Sequence, residues 1–148
     1  MDSAENHEGA EKRRRGVVAV VVRDGRLLVI RRSQSVVAPG AICFPGGGIE
    51  HGESEIAALV REIAEELGTA VLPIRPLWRS VTPWNVDLSW WLAKLDLVHL
   101  IAPNAAEVAS VHWLRPKELL EYPELLSSNR EFLEAVLRGE IDLGVSAE

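Results

Sequence analysis

Between Gly47 and Gly68 the chain reads GGIEHGESEIAALVREIAEELG, a glycine-led acidic segment with one arginine, Arg61, among its glutamates. No other stretch limits the fold and the chemistry so narrowly. Gly46, Gly47 and Gly48 follow the strand-like run Ala41-Ile42-Cys43-Phe44 and Pro45, where a glycine cluster lets the backbone take positive φ and brings bare peptide groups close to a ligand. Ser54 has the side chain of a helix N-cap. From Glu55 onward Ile56, Leu59, Val60, Ile63 and Leu67 recur at three- and four-residue steps, and Gly68 stands where a helix end favours glycine. The spacing predicts a helix with those five residues on its buried face and Glu55, Glu62, Glu65 and Glu66 on the other.

Glu62 and Glu66 are one turn apart with Glu65 beside them, and like charges at that spacing repel. A merely solvated helix face would intersperse lysines, yet besides His51 the only basic residue from Gly46 to Gly68 is Arg61. Hard divalent cations take oxygen ligands, and Mg2+ commonly joins a few carboxylates to substrate phosphates. Clustered carboxylates beside a glycine loop therefore predict a site for Mg2+ or Mn2+. A guanidinium fork at Arg61 suits holding one carboxylate in place and easing the repulsion.

In these residues the segment resembles the Nudix box of the Nudix hydrolases, which cleave a diphosphate linkage in nucleoside diphosphates joined to some other group. The resemblance runs from Gly47 to Thr69 and holds at Gly47, Glu53, Arg61, Glu62, Ile63, Glu65, Glu66 and Gly68. Thr69 departs from it, standing where the pattern usually has an aliphatic residue. The resemblance implies an α/β/α sandwich with a mixed β-sheet. It also implies two to three divalent ions held by Glu62, Glu65 and Glu66 with the Gly46 carbonyl, and Glu53 as a supporting carboxylate. The catalytic set so implied is Glu62, Glu53, Arg61 and an acid from a downstream loop. Glu107 is the best placed, as the only Glu between Glu66 and Glu118; Asp87 and Asp96 compete. Glu50 and Glu55 are expected to be solvated or supporting.

The expected reaction is attack of water on phosphorus in a nucleoside diphosphate derivative, NDP-X or a nucleoside triphosphate, giving two phosphorylated products. Gly47 and Gly48 are expected at the substrate. Of the five tryptophans most are expected in the core, and Trp84, in the break Thr82-Pro83-Trp84-Asn85, near a pocket where a base can stack. Some ADP-ribose-cleaving relatives carry a proline at about the distance of Pro83, whereas no coenzyme A or dinucleoside polyphosphate signature is present. Two rival readings stand: a Nudix-fold nucleotide sensor without catalysis, and an enzyme like the isopentenyl diphosphate isomerases. The box acids that sensors usually lack are all here, and Cys43-Phe44-Pro45 is not the isomerase cysteine context.

Composition bounds the rest. The 148 residues, 47% hydrophobic, suit one domain, read as 16–148 after a tail of residues 1–15. Cys43 is the only cysteine, so no internal disulfide forms; it reads as a small buried hydrophobe, and His51 as a solvated turn residue. The apolar runs are too short to span a bilayer, and the first residues lack the apolar segment of a secretory signal, so a cytoplasmic protein is expected, compatible with a homodimer. A net charge of −6 disfavours nucleic-acid or membrane partners. Lys12 to Arg15, the basic exception, reads as a solvated tail.

Along the chain, Val17 to Arg23 and Arg26 to Arg32 read as strands joined by the hairpin signal Asp24-Gly25. Ser33 to Gly40 reads as a loop, and Leu77 to Val81, Val86 to Leu95 and Val108 to Leu114 as strands. Val86, Leu88, Trp90 and Leu92 share one face of their strand, with Asn85, Asp87 and Ser89 on a polar one. Pro116 to Leu120 reads as a short helix, and Asn129 to Leu137, capped by Ser128 and closed by Gly139, as the last.

Overall fold

The computed structural model describes residues 13–96 and 100–144. Lys12 and most of the expected tail lie outside the described residues. The elements are β1 (Arg14–Arg23), β2 (Arg26–Arg32), β3 (Ile42–Cys43), β4 (Gly46–Gly48), α1 (Glu55–Leu67), β5 (Val71–Val81), β6 (Val86–Leu95), β7 (Val108–Leu114), α2 (Pro116–Leu120) and α3 (Ser127–Leu137). Asp24 and Gly25 both take positive φ, 52° and 74°, as the tight β1–β2 turn requires. β1 runs parallel to β6 and antiparallel to β4, and β5 lies antiparallel at the outer side of β6. β2 pairs antiparallel with β3 and β7, and joins β1 through two residue pairs at the hairpin end. The sheet is mixed, as expected.

β1 is apolar on both faces because both are covered. Val17, Ala19 and Val21 pack with Ala58, Leu59, Ile63 and Leu67 of α1, while Val18 and Val20 pack on the other side with Phe44, Trp90 and, from α3, Phe132 and Leu133. Each Leu or Ile so buried contributes about 1.5–3 kcal/mol. Trp90 stacks on Phe132 with centroids 4.3 Å apart, and Phe44 meets both edge-on. Helix, sheet and helix thus form the expected sandwich. Among the described residues no helix is long and apolar enough to cross a membrane.

Several local expectations are corrected. Ile56 and Val60 are 48% and 40% exposed, so the buried stripe of α1 is rolled away from them, through Ala58, Leu59, Ile63, Glu66 and Leu67. The helix packs against the glycine strand β4, where the Glu62 carboxylate fills the space a Gly47 side chain would take. That run, expected as a loop, pairs with β1 at residues 16–18. β5 begins at Val71 rather than Leu77; Pro73 and Pro76 mask it, and the β6 register shifts beside each, which a strand at this position tolerates. α3 begins at Ser127 with Leu126 at the N-cap and no side-chain cap. Ser128 is instead buried, its Oγ accepting from Asn129 Nδ2 at 3.1 Å. Arg14 and Arg15 belong to β1 rather than to a solvated tail, and Arg13 bonds Asp87 at 3.2 Å. Ser89, expected on a polar face, is buried beneath α1.

Candidate active site

The helix that carries the acids is fixed at both ends. Ser54 Oγ accepts from Ala57 N at 3.0 Å, and Gly68 closes α1 at φ 61°. Arg61 projects back over the first turn and clamps Glu53 with two bonds, Nε to Oε2 at 2.7 Å and Nη2 to Oε1 at 2.9 Å. Its Nη1 donates to Glu62 Oε2 at 3.0 Å and to Glu65 Oε1 at 3.3 Å, and its Nη2 to the Gly48 carbonyl at 2.9 Å. One guanidinium thereby ties three carboxylates to the end of β4. The Arg61 bonds, aided by a backbone N–H of the Glu50 turn, hold the Glu53 carboxyl at about pKa 2, so it is ionised at any working pH.

Glu66 behaves differently. It is 6% exposed, and its Oε1 accepts from the Gly46 N–H at 3.0 Å. Burial pushes its pKa up to about 8; the Glu62 and Glu107 charges add to this, while the Gly46 bond and the Arg32 charge oppose it. Glu62 is raised too, again chiefly by burial, against the pull of Arg61. Glu66, expected on the acidic face opposite the apolar stripe, thus lies buried at the edge of that stripe beside the glycine strand. β4 explains why glycine stands there: a Cβ at Gly46 would collide with the Val17 carbonyl, and one at Gly47 with the Glu62 carboxylate.

Glu107 is brought to this cluster by a loop sewn onto the end of α1. The Ala102 N–H donates to the Leu67 carbonyl at 2.7 Å and the Asn104 N–H to that of Glu66 at 2.9 Å, filling acceptors that a helix end leaves open. On its far side Ser33 N bonds the Glu107 carbonyl at 3.0 Å. Asp87, a competitor for the same role, is instead paired with Arg13.

An open cleft of about 1010 Å³ borders β4 on the α3 side of the sheet, with Gly16, Gly47, Trp84, Leu88 and Asn129 among its walls. Trp84 is 55% exposed there, and the other tryptophans pack against the two cores. Cys43 reaches the cleft but is buried, which raises its thiol to about pKa 11. His51 is an exposed turn residue at the cleft rim, as expected. Arg32, which faces Glu66 and Cys43 and also lines the cleft, escaped the sequence reading; its signal is a charged pair closing the otherwise buried strand β2.

The donor chemistry suits a hard divalent cation. Two partly or fully buried carboxylates with raised pKa values, a third acid nearby and glycine backbone form an all-oxygen set with excess negative charge. Glu65 is half-exposed and shares the Arg61 Nη1 with Glu62, whereas Glu66 is buried against Gly46. Among the described residues no three acidic, histidine or cysteine side chains already form a ready-made ligand group.

Residues 12–136 match the NUDIX domain family. The chain is 31% identical over 125 residues to a CTP pyrophosphohydrolase of Escherichia coli K12, covering 82% of this chain and 89% of that protein. It is 44% identical over 105 residues to a putative 8-oxo-dGTP diphosphatase 2 of Mycobacterium tuberculosis H37Rv, covering 70% and 74%. The solution structure of the E. coli ORF135 protein superposes with a TM-score of 0.68 at 27% identity, over 89% of this chain and 94% of that one. With a match across most of its length and the box residues gathered around Arg61, the chain belongs to the Nudix family of hydrolases.

Proposed function

We propose that this Nudix hydrolase is a metal-dependent pyrophosphohydrolase that acts on a nucleoside triphosphate, with water attacking phosphorus. The observation that carries the reading is the meeting of Glu62 and Glu66, both with raised pKa, against the glycine strand that borders the cleft. Glu62, Glu65, Glu66 and the Gly46 carbonyl would hold two or three Mg2+ or Mn2+ ions, which when bound would supply charge that neutralises a diphosphate and acidifies water. Glu62, or Glu107, whose charge acts on it, takes the proton of the attacking water. Glu53 stays ionised and holds Arg61, which in turn fixes Glu62. Gly47 and Gly48 bring backbone to the phosphates, and the exposed Trp84 ring offers a stacking surface to the base.

The names of the two relatives favour a triphosphate over an NDP-X substrate. Pro83 gives ADP-ribose no support, since it simply fills the turn in which Asn85 N bonds the Thr82 carbonyl at 2.9 Å. The test is a panel of nucleoside triphosphates, 8-oxo-dGTP, ADP-ribose and nucleotide sugars with and without Mg2+. Expected is Mg2+-dependent release of pyrophosphate from a triphosphate, with Glu62→Gln lowering kcat about 10²-fold. Glu107→Gln tells which acid is the base. Binding without turnover across the panel would favour the sensor reading instead.

A further inference from the structure

Glu55 is absent from the pattern that defines the family box, yet its carboxylate is among the most heavily bonded in the molecule. It is the first residue of α1, and its side chain is largely buried. Oε1 accepts from Trp91 Nε1 at 2.8 Å; Oε2 accepts from Arg79 Nη2 at 2.7 Å and from Arg15 Nη2 at 3.4 Å. The Ser89 hydroxyl also reaches it. The donors come from β1, β5 and β6, so one carboxylate joins the start of α1 to three strands. A helix N-terminus favours negative charge, and each charge-assisted bond is stronger than a neutral one.

The placement links two halves of the site. Glu53, two residues before Glu55, is the partner of Arg61. Arg15 lines the cleft, and its carbonyl accepts from Ile49 N at 2.9 Å, next to the Gly48 carbonyl that Arg61 holds. We infer that Glu55 is a positioning residue: by locking the first turn of α1 to β1, β5 and β6 it sets the Glu53–Arg61–Glu62 chain against the glycine strand. A simple packing role would cost stability alone. A positioning role costs turnover, because displacement of a catalytic group by about 1 Å can lower the rate on the order of 10²-fold.

The test uses the full-length protein with Glu55→Gln, which keeps shape and removes charge, and Glu55→Asp, which keeps charge. All are assayed where circular dichroism shows each fully folded. Expected is a fall in kcat of about tenfold or more for the Gln variant, KM within about threefold, and recovery of most of kcat by Asp. An unchanged kcat in the Gln variant, whatever its Tm, overturns the inference, as does a change confined to KM. The kinetic readout rests on the hydrolase reading. If the wild type turns over nothing in the panel, that reading fails by itself, and Mn2+ affinity measured by electron paramagnetic resonance decides here. Weaker binding in the Gln variant with recovery by Asp supports the role, and equal affinity removes it.

Discussion

Thr69 carries a defect that a single methyl would cure. Its Oγ1 is buried without a hydrogen-bond partner among the described residues. A hydroxyl taken from water and left unpaired costs about 1–3 kcal/mol, whereas a methyl of the same shape costs nothing of the kind. Thr69→Val is therefore expected to stabilise the fold by about 1 kcal/mol, raising Tm by about 3 °C in a calorimetric scan; an equal or lower Tm would mean that the hydroxyl has found a partner. Glu66 carries a larger burden, and its sign follows from its pKa of about 8, above the ordinary 4.5. Below about pH 4.5 folded and unfolded chains both hold the proton, and the group is neutral in its effect. From there to pH 8 the unfolded chain releases the proton while the folded one keeps it, so stability falls across that window, by on the order of a few kcal/mol, and levels off above it. In chelator-treated protein, Glu66→Gln should raise the urea midpoint at pH 8 and leave it unchanged at pH 4. A gain of equal size at both values would assign the effect to packing. The polarity of Glu66 and its spacing from Glu62 were legible in the sequence; its burial was not, since that depends on a backbone N–H of Gly46 twenty positions away.

At the scale of elements, what periodicity can carry was legible and what neighbours impose was not. The β1–β2 hairpin, β6, β7 and α2 follow from apolar runs and turn residues, and they lie where those signals place them. β4 has no side chains to make a pattern, and the first half of β5, before Leu77, is masked by two prolines, so these stretches are strands through the ladder partners that β1 and β6 offer. The same dependence governs the loop from residue 100 to Glu107, whose acid reaches the site because its backbone caps α1. Gly68 is the pivot: its φ is 61°, and a Cβ there would stand 2.7 Å from the Ala102 carbonyl oxygen. Gly139 is the natural comparison, with φ 81° and nothing within 4 Å of a Cβ. Alanine at either position costs about 1–2 kcal/mol for the left-handed backbone. Gly68→Ala should cost more than Gly139→Ala by thermal unfolding, and it alone should lower kcat, because it pushes away the loop that holds Glu107. Equal effects at the two sites would detach that loop from the active site.

As a whole the proposed function sets an acidic protein, net −6, against a polyanionic substrate. Arg14, Arg15 and Arg32 line the cleft and moderate the repulsion locally, and divalent cations on the proposed carboxylates would do the rest. The same distribution of groups decides which atom is attacked. Cys43 reaches the cleft but holds its proton to about pH 11, so it is no nucleophile. The Ser110–His112 pair, 2.8 Å apart, lies on β7 and does not line the cleft. In the proposed reaction the attacking group is water, activated beside Glu62 and Glu66, and the electrophile is phosphorus. Hydrolysis in 18O-enriched water should therefore place label on a phosphate-bearing product, with the nucleoside C–O bonds intact. A triphosphate should yield a monophosphate and pyrophosphate, with label on one of them, read by mass spectrometry after a single turnover. Label on a nucleoside fragment free of phosphate would show C–O cleavage and exclude diphosphate hydrolysis by this site. Unlabelled products from a first turnover would point to an oxygen of the protein as the attacking group and overturn the direct attack of water.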